Sequence, residues 1–306
     1  MTLTELKYIV AVARERHFGR AAEACFVSQP TLSVAVKKLE QELEVKLFER
    51  GAAEVSVTPL GEQIVRQAQQ VIEQAAAIKE IAKLGKDPIS GPLKLGVIYT
   101  IGPYLLPDLV RQAIERVPQM PLMLQENFTA KLLDMLRVGE LDCAILAEPF
   151  PDTGLAIAAL YDEPFMAAVP KAHPLARRKQ ISAEELKSET MLLLGTGHCF
   201  RDHVLEVCPE YARFASQAEG IRKSFEGSSL ETIKYMVASG MGVTVVPQLS
   251  VPKELQLHIR YLKFSAPVPT RRVVLAWRRS FPRYEAIAAL RNAIYACALP
   301  GVKRLS

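Results

Sequence analysis

One cysteine with charged neighbours carries the densest chemistry in the chain. Cys199 sits in Gly197-His198-Cys199-Phe200-Arg201-Asp202, just after the apolar run from Met191 to Leu194, so it follows a strand exit and opens a helix. A thiol placed there gains help from the helix N-terminus toward thiolate, the form that attacks a peroxide oxygen. His198 and Arg201 add positive charge or hydrogen bonds. Asp202, three residues on, shares a face with Cys199 in a helix and can pass a proton to a leaving oxygen. Cys208 follows nine residues beyond Cys199. The competing interpretation is a pair of buried thiols that pack as small hydrophobes, and the charged company of Cys199 weighs against it.

A second constellation lies between Phe18 and Arg50, where the spacing suits two short helices locked around a tight turn. Ala21 and Ala22 are small enough for close helix packing, and Ser28 is a good N-cap for the second helix. Pro30 falls in its first turn, where a missing N–H costs little. Leu32, Val36, Leu39 and Leu43 recur on one face, which is buried. The opposite face carries Gln29, Thr31, Ser33 and Lys37, side chains suited to base edges and phosphates. Such a face enters a DNA major groove, and a plain three-helix bundle gains nothing from it. Residues 1–60 hold eight Lys or Arg and eight Glu, so placement matters more than net charge. Arg14, Arg16, Arg20, Lys37, Lys38 and Arg50 can face phosphates while Glu40, Glu42 and Glu44 sit at the far end.

The elements that must hold these residues follow from the periodicity. Leu6, Ile9, Val10 and Ala13 describe an amphipathic first helix, and Leu47-Phe48 with Val55-Ser56-Val57 form a small wing tipped by Arg50 and Gly51. This gives a DNA-binding domain over 1–58. Thr58-Pro59 starts one long helix over 59–87, with a seam of Ile64, Ala68, Val71, Ala75, Ile78 and Ala82. Burying that seam against a twin makes a homodimer whose reading helices match a two-fold DNA site; the alternative is a helix packed on its own domain. Ser90-Gly91-Pro92 marks the next boundary.

From Leu93 onward short apolar strands alternate with helices, and two α/β lobes are implied: lobe I about 91–162 plus 268–306, lobe II about 163–267. Ligands in such sheets bind beyond strand carboxyl ends, so Thr100, Thr129 and the stretch from Gly195 to Cys199 converge on a cleft. Arg278, at a later strand exit, is expected to face the same cleft. The stretch from Arg260 to Arg283 holds seven Lys or Arg and no acid, and reads as a solvated strand edge rather than a second polyanion surface. Cys25, Cys143 and Cys297 read as packing residues, and His17 and His173 suggest no metal site, since no CxxC or HxxxH spacing occurs.

With 306 residues, 49% hydrophobic, and a net charge of +5, the chain suits two or three soluble domains and permits a polyanion partner. The N-terminus lacks a secretory pattern and no run approaches ~20 apolar residues, so a cytoplasmic protein with no membrane partner is expected.

The helix containing SQPTLS, the long linker helix and the two-lobed remainder resemble the LysR-type transcriptional regulators over essentially the whole chain. Within them, the motif around Cys199 with Cys208 beyond it, Gly102-Pro103-Tyr104-Leu105-Leu106-Pro107 and Ser229-Leu230-Glu231-Thr232 are similar to the peroxide-sensing OxyR group. At Ser224 that group can carry a histidine. The resemblance implies an α+α/β fold: an N-terminal winged helix-turn-helix, a long linker helix, and a two-lobed, periplasmic-binding-protein-like regulatory domain. It implies a homotetrameric activator of antioxidant genes that binds promoter DNA, engages RNA polymerase, senses hydrogen peroxide through a Cys199–Cys208 disulfide and is reset by a glutaredoxin-like or thioredoxin-like reductant. DNA contacts then come from Ser28, Gln29, Pro30, Thr31, Ser33, Lys37 and Arg50. The peroxide pocket comes from Thr100, Thr129 and, by its expected position, Arg278. No cofactor or metal is implied, and the chain is not an enzyme. Attack by the Cys199 thiolate gives a sulfenic acid that Cys208 resolves. Two other readings keep parts of this architecture: a LysR-type regulator that binds a small organic anion in the cleft, with incidental cysteines, and a thiol peroxidase turning over at Cys199.

Overall fold

The computed structural model describes residues 1–50, 55–83, 89–151, 154–211, 224–227, 229–252 and 258–305. The chain divides into two compact units, one of Met1–Lys86 with Arg137–Gly139 and a second built from Asp87–Leu136 with Glu140–Ser306. Among the described residues no helix is long and apolar enough to cross a membrane.

In the first unit, α1 (Leu3–Glu15), α2 (Phe18–Ala24) and α3 (Gln29–Glu42) pack around Ile9, Val12, Ala21, Leu32, Val36 and Leu39, all buried. Leu43, at the end of the predicted stripe, is only half-buried because it caps α3. The wing is β1 (Phe48–Arg50) antiparallel to β2 (Val55–Val57), with Phe48 opposite Val57 and Arg50 opposite Val55. The expected pairing of Leu47 is therefore corrected. Leu47 lies before the strand, fully buried, and its N–H donates to Glu40 Oε1 at 2.8 Å. Glu40 is buried for the same reason and is no solvated far-end charge. It accepts the otherwise orphaned N–H groups of Leu47 and Phe48 as the chain enters the wing. The Arg50 side chain and the wing tip at Gly51 lie outside the described residues.

Thr58 caps α4 (Pro59–Lys83): its Oγ1 accepts from Gly61 N at 2.9 Å and donates to the Lys46 carbonyl. Gly61 is required here, since a Cβ would stand 2.3 Å from the Leu47 carbonyl oxygen. The first half of α4 packs on its own unit through Ile64 and the buried Ala68, while Val71 and Ile78 of the expected seam are exposed. Residues 84–88, the expected helix end, lie outside the described residues.

In the second unit, β3 (Leu93–Ile98) runs parallel to β4 (Leu122–Asn127) and β5 (Cys143–Glu148), joined by α5 (Gly102–Arg116) and α6 (Thr129–Arg137). A 15-residue strand, β6 (Ala156–Pro170), then runs antiparallel to β12 (Thr270–Trp277) at one end and to β10 (Thr244–Pro247) and β11 (Ile259–Phe264) at the other. Between them come β7 (Gln180–Ile181), α7 (Ala183–Leu186), β8 (Met191–Leu194), α8 (Cys199–Val207), β9 (Ser224–Gly227) and α9 (Leu230–Ala238), with α10 (Tyr284–Ala296) and β13 (Lys303–Arg304) closing the chain. Two separate apolar cores result. One takes its residues from Leu93–Tyr161 and Val273–Leu299, the other from Phe165–Phe264. The sequence marks β6 only from Phe165. Its earlier half, starting at Ala156, is fixed by a backbone ladder to β12 rather than by apolar alternation.

The basic stretch is neither a polyanion surface nor a solvated edge as a whole. Arg271 is buried against Glu163, Arg272 pairs with Asp162, and Arg283, also buried, donates to the carbonyls of Ser90, Gly91 and Pro92.

Candidate functional site

Helix α8 begins where the sequence places it. Gly197 has φ +97°, a left-handed conformation that an L side chain rarely adopts, and it turns the chain from β8 into the helix. His198 is the N-cap and makes no side-chain cap hydrogen bond, so Cys199 stands first in a helix whose leading N–H groups are not claimed by that side chain. Phe200, Arg201, His203 and Val204 are buried behind it, which fixes the helix against the second core. Arg201 donates to the Leu194 carbonyl at 2.9 Å, holding the preceding strand to the helix.

A cavity of about 10 Å³ lies at Cys199, lined by Ile98, Tyr99 and Thr100, by Asn127, Phe128 and Thr129, and by Gly197, His198 and Cys199. Parallel β3 and β4 deliver the two threonines to it from adjacent strand ends. Thr100 is buried, and its Oγ1 accepts from Arg271 Nη1 at 2.8 Å while its carbonyl accepts from Nη2 at 3.0 Å. One lone pair being engaged, the Thr100 O–H remains to donate. Thr129 Oγ1 is buried with no hydrogen-bond partner among the described residues. A space of this size holds one water-sized molecule with several polar partners.

Arg271 is the residue that sequence reasoning missed. Its guanidinium is 2.8 Å from Glu163, both side chains essentially unexposed, and lies 5.2 Å from the ring centre of Phe200 on α8. Glu163 also accepts from Leu249 N at 2.8 Å, so the buried pair is well supplied with hydrogen bonds. The signal was present. With Val273 inward, the period of two in a strand puts Arg271 inward and Arg272 outward.

Three predicted site residues stand elsewhere. Asp202 is exposed and Arg201 is buried in its bond to Leu194, and neither lines the cavity. Arg278 does not face the cleft: its Nη1 donates to the carbonyls of Leu136 and Leu141, both at 2.6 Å. The reason is strand direction. Because β12 is antiparallel to β5, with Trp277 opposite Cys143, its exit lies at the amino ends of the parallel strands, away from Thr100.

Cys208 is the C-cap of α8 and fully buried, and burial pushes its thiol up to about 12. Both cysteines are free thiols. Nine residues of helix at a rise of ~1.5 Å separate their Cα atoms by ~13 Å, whereas a disulfide needs less than ~7 Å. Of the other cysteines, Cys143 and Cys297 are buried in the first core, and Cys25 is half-buried at the end of α2.

At the start of α3, Ser28 Oγ accepts from Thr31 N at 3.4 Å and contacts Thr31 Oγ1 at 2.8 Å. Ser28, Gln29, Pro30, Thr31 and Lys37 are exposed, and Ser33 is half-buried. His17 caps α2, its Nδ1 accepting from Gly19 N and Arg20 N.

Comparison with known proteins gives one answer along the whole length. Residues 3–62 match the bacterial regulatory helix-turn-helix protein, lysR family, and residues 86–296 match the LysR substrate binding domain. A hydrogen peroxide-inducible genes activator of Pectobacterium carotovorum is 40% identical over 292 residues, covering 94% of this chain and 95% of that protein. A full-length OxyR variant of Pseudomonas aeruginosa is 52% identical with a TM-score of 0.71, over 97% of this chain and 96% of its own. A Corynebacterium glutamicum OxyR mutant with hydrogen peroxide bound is 32% identical with a TM-score of 0.63, over 96% and 91%. The chain belongs to the LysR family of bacterial regulators, in its OxyR branch.

Proposed function

We propose that this chain is a hydrogen peroxide sensor that activates antioxidant genes by forming a reversible Cys199–Cys208 disulfide. The observation that carries this reading is the small cavity in which Thr100, Thr129 and His198 meet a cysteine at a helix start. Thr100 donates to, and Thr129 donates to or accepts from, a peroxide whose near oxygen faces Cys199. The thiolate forms an S–O bond, the O–O bond breaks, and the leaving hydroxide takes up a proton, giving a sulfenic acid. Asp202, exposed on the first turn, does not line the cavity, so the leaving hydroxide takes its proton from solvent. Arg201 and Arg271 hold the frame: one ties β8 to α8, the other ties Thr100 to the bed of Phe200.

Resolution by Cys208 requires α8 to come apart, since the intact helix holds the thiols too far from each other. Oxidation therefore changes the fold of the second lobe, and through the oligomer the spacing of the reading helices. The exposed Val71 and Ile78 of α4 suit a homodimer contact, and a dimer of dimers presents four helices like α3 to promoter DNA. Ser28, Gln29, Pro30, Thr31, Ser33, Lys37 and Arg50 make the DNA contacts. RNA polymerase is recruited by the oxidised form, a glutaredoxin-like or thioredoxin-like dithiol resets it, and the protein works in the cytoplasm. One oxidation per reset makes it a switch rather than a peroxidase.

An organic anion is a poor occupant of the adjoining cavity. Among the described residues its lining carries Glu126 and Glu231 and no Lys or Arg. Non-reducing peptide mass mapping after one equivalent of hydrogen peroxide tests the proposal. A Cys199–Cys208 linked peptide forming within seconds is expected, and two thiols still free would overturn it.

A further inference from the structure

Three aromatic rings line both the cavity at Cys199 and a second, larger one. Tyr99, Phe128 and His198 pack edge against one another, with ring centres 5.2 Å apart for Tyr99–Phe128, 4.8 Å for Phe128–His198 and 5.8 Å for Tyr99–His198. The inner cavity measures about 10 Å³ and the outer about 390 Å³, and all three side chains belong to the walls of each. The outer space is otherwise bounded by an apolar wall of Pro103, Tyr104 and Leu230, with Glu126 and Glu231 also on its lining. His198 is buried, while Tyr99 and Phe128 are each 38% exposed. Phe128 is backed on one side by Gly197, where a Cβ would already touch its ring at 3.4 Å.

We propose that the Tyr99–Phe128–His198 triad is a size filter that admits hydrogen peroxide to Cys199 and holds back the alkyl group of an organic hydroperoxide. This rests on the peroxide-sensing reading above. The inner cavity is near the lower limit for a single water-sized molecule, so it takes the oxygen that Cys199 attacks, and whatever that oxygen carries, a hydroxyl or a branched alkoxyl group, must lie toward the three rings. The reaction itself is the same for either oxidant. The thiolate bonds to the hydroxyl oxygen, the O–O bond breaks, and hydroxide or alkoxide leaves and takes up a proton. Discrimination therefore comes from where the carbon atoms must sit at the moment of attack, which is the space that the three rings occupy. The outer cavity has the volume and apolar walls to receive a cumyl or tert-butyl group once a ring is removed.

The test measures second-order rates of Cys199 oxidation in the reduced full-length chain with hydrogen peroxide and with cumene hydroperoxide, for the unaltered chain, Phe128→Ala and Tyr99→Ala. The unaltered chain is expected to favour hydrogen peroxide. Each Ala variant is expected to raise the cumene-to-hydrogen-peroxide rate ratio by about tenfold or more, the scale on which a change of pocket size alters selectivity. A ratio rather than a rate is read because general damage slows both oxidants alike. Should Phe128→Ala fail to fold, the half-exposed Tyr99 position carries the test. A ratio that does not move in the variants, or an unaltered chain that accepts both oxidants equally, overturns the filter while leaving peroxide sensing intact. If Cys199 reacts with neither oxidant, the sensing reading itself falls and the filter with it.

Discussion

Two helix starts in this molecule are built in opposite ways. The start of α3 is closed by its own side chains: Ser28 Oγ accepts from Thr31 N, and Pro30 removes an N–H that would otherwise need a partner. The start of α8 has an N-cap, His198, whose ring packs against Tyr99 and Phe128 and makes no cap hydrogen bond. At the far end α3 passes into a wing whose backbone is tied down by Glu40, while α8 ends on Cys208, a thiol that burial holds protonated. The contrast teaches what each helix is for. A reading helix must keep its shape when it meets DNA, so its ends are satisfied locally. A switch helix must both activate a thiol and unwind, so its stability comes from packing and from Arg271 beneath it, contacts that one covalent bond can outweigh.

The sharpest way to break the comparison is to remove the reacting atom. Cys199→Ser is expected to abolish the peroxide-induced change in DNA footprint completely while leaving binding by the reduced form in place, as gel shift and footprinting report. Cys208→Ser is expected to stop at a sulfenic acid, visible as a 16 Da gain in intact mass. An undiminished footprint change in either variant would show that α8 is not the switch.

Next comes the bed on which α8 rests. Arg271→Ala strands the Glu163 carboxylate in a site with essentially no exposure, and loss of one partner of such a pair costs about 3–5 kcal/mol. Urea unfolding of the reduced regulatory unit is the measurement. Replacing both partners with apolar residues is expected to recover much of the loss, because the desolvated charge is then gone. A small effect for Arg271→Ala alone would mean that Thr100 and Phe200 do not depend on this ion pair.

A pH titration sharpens the far end of α8. The Cys208 thiol stands at about 12 in the folded protein, above its ordinary range near 8.5. A group whose folded pKa is raised contributes stability that is fully present below the unfolded pKa and lost as pH rises through the folded one. Stability of the reduced protein is therefore expected to fall between about pH 8.5 and 12. Cys143 and Cys297 are also raised by burial, so the informative quantity is the difference between the unaltered chain and Cys208→Ala, which is expected to lose less over that window.

Much of this was legible in the sequence, and the failures share a cause. Helix starts read well, since caps, prolines and stripes are local signals: α3 and α8 begin at Gln29 and Cys199, each behind its predicted boundary residue. The meeting of Thr100, Thr129 and Cys199 was approachable because parallel strands deliver their exits to one end. Arg278 was misplaced because direction within a sheet is a non-local fact, and nothing around Trp277 says that β12 runs against β5. Glu40 and Arg271 were read by charge alone. Their partners, the Leu47 backbone and Glu163, stand 7 and 108 positions away, so neither charge could be seen as needed in the interior. The aromatic triad sits on those same three exits, one residue before Thr100, Thr129 and Cys199, and it went unread because ring-to-ring packing depends on side-chain directions that spacing does not give.

The smallest effect concerns the closed helix start, and it separates structure from recognition. Ser28→Ala removes the side-chain acceptor for Thr31 N and is expected to cost about 1 kcal/mol of stability in the DNA-binding unit. Ser28→Asp restores an acceptor and suits the positive end of the helix, so it is expected to recover that stability while placing a negative charge where a phosphate would approach. Stability and DNA affinity should therefore part company. Both fall in the alanine variant, but in the aspartate variant thermal unfolding recovers and promoter binding drops further. If affinity instead follows stability through both substitutions, Ser28 is only a cap, and the start of α3 touches no phosphate.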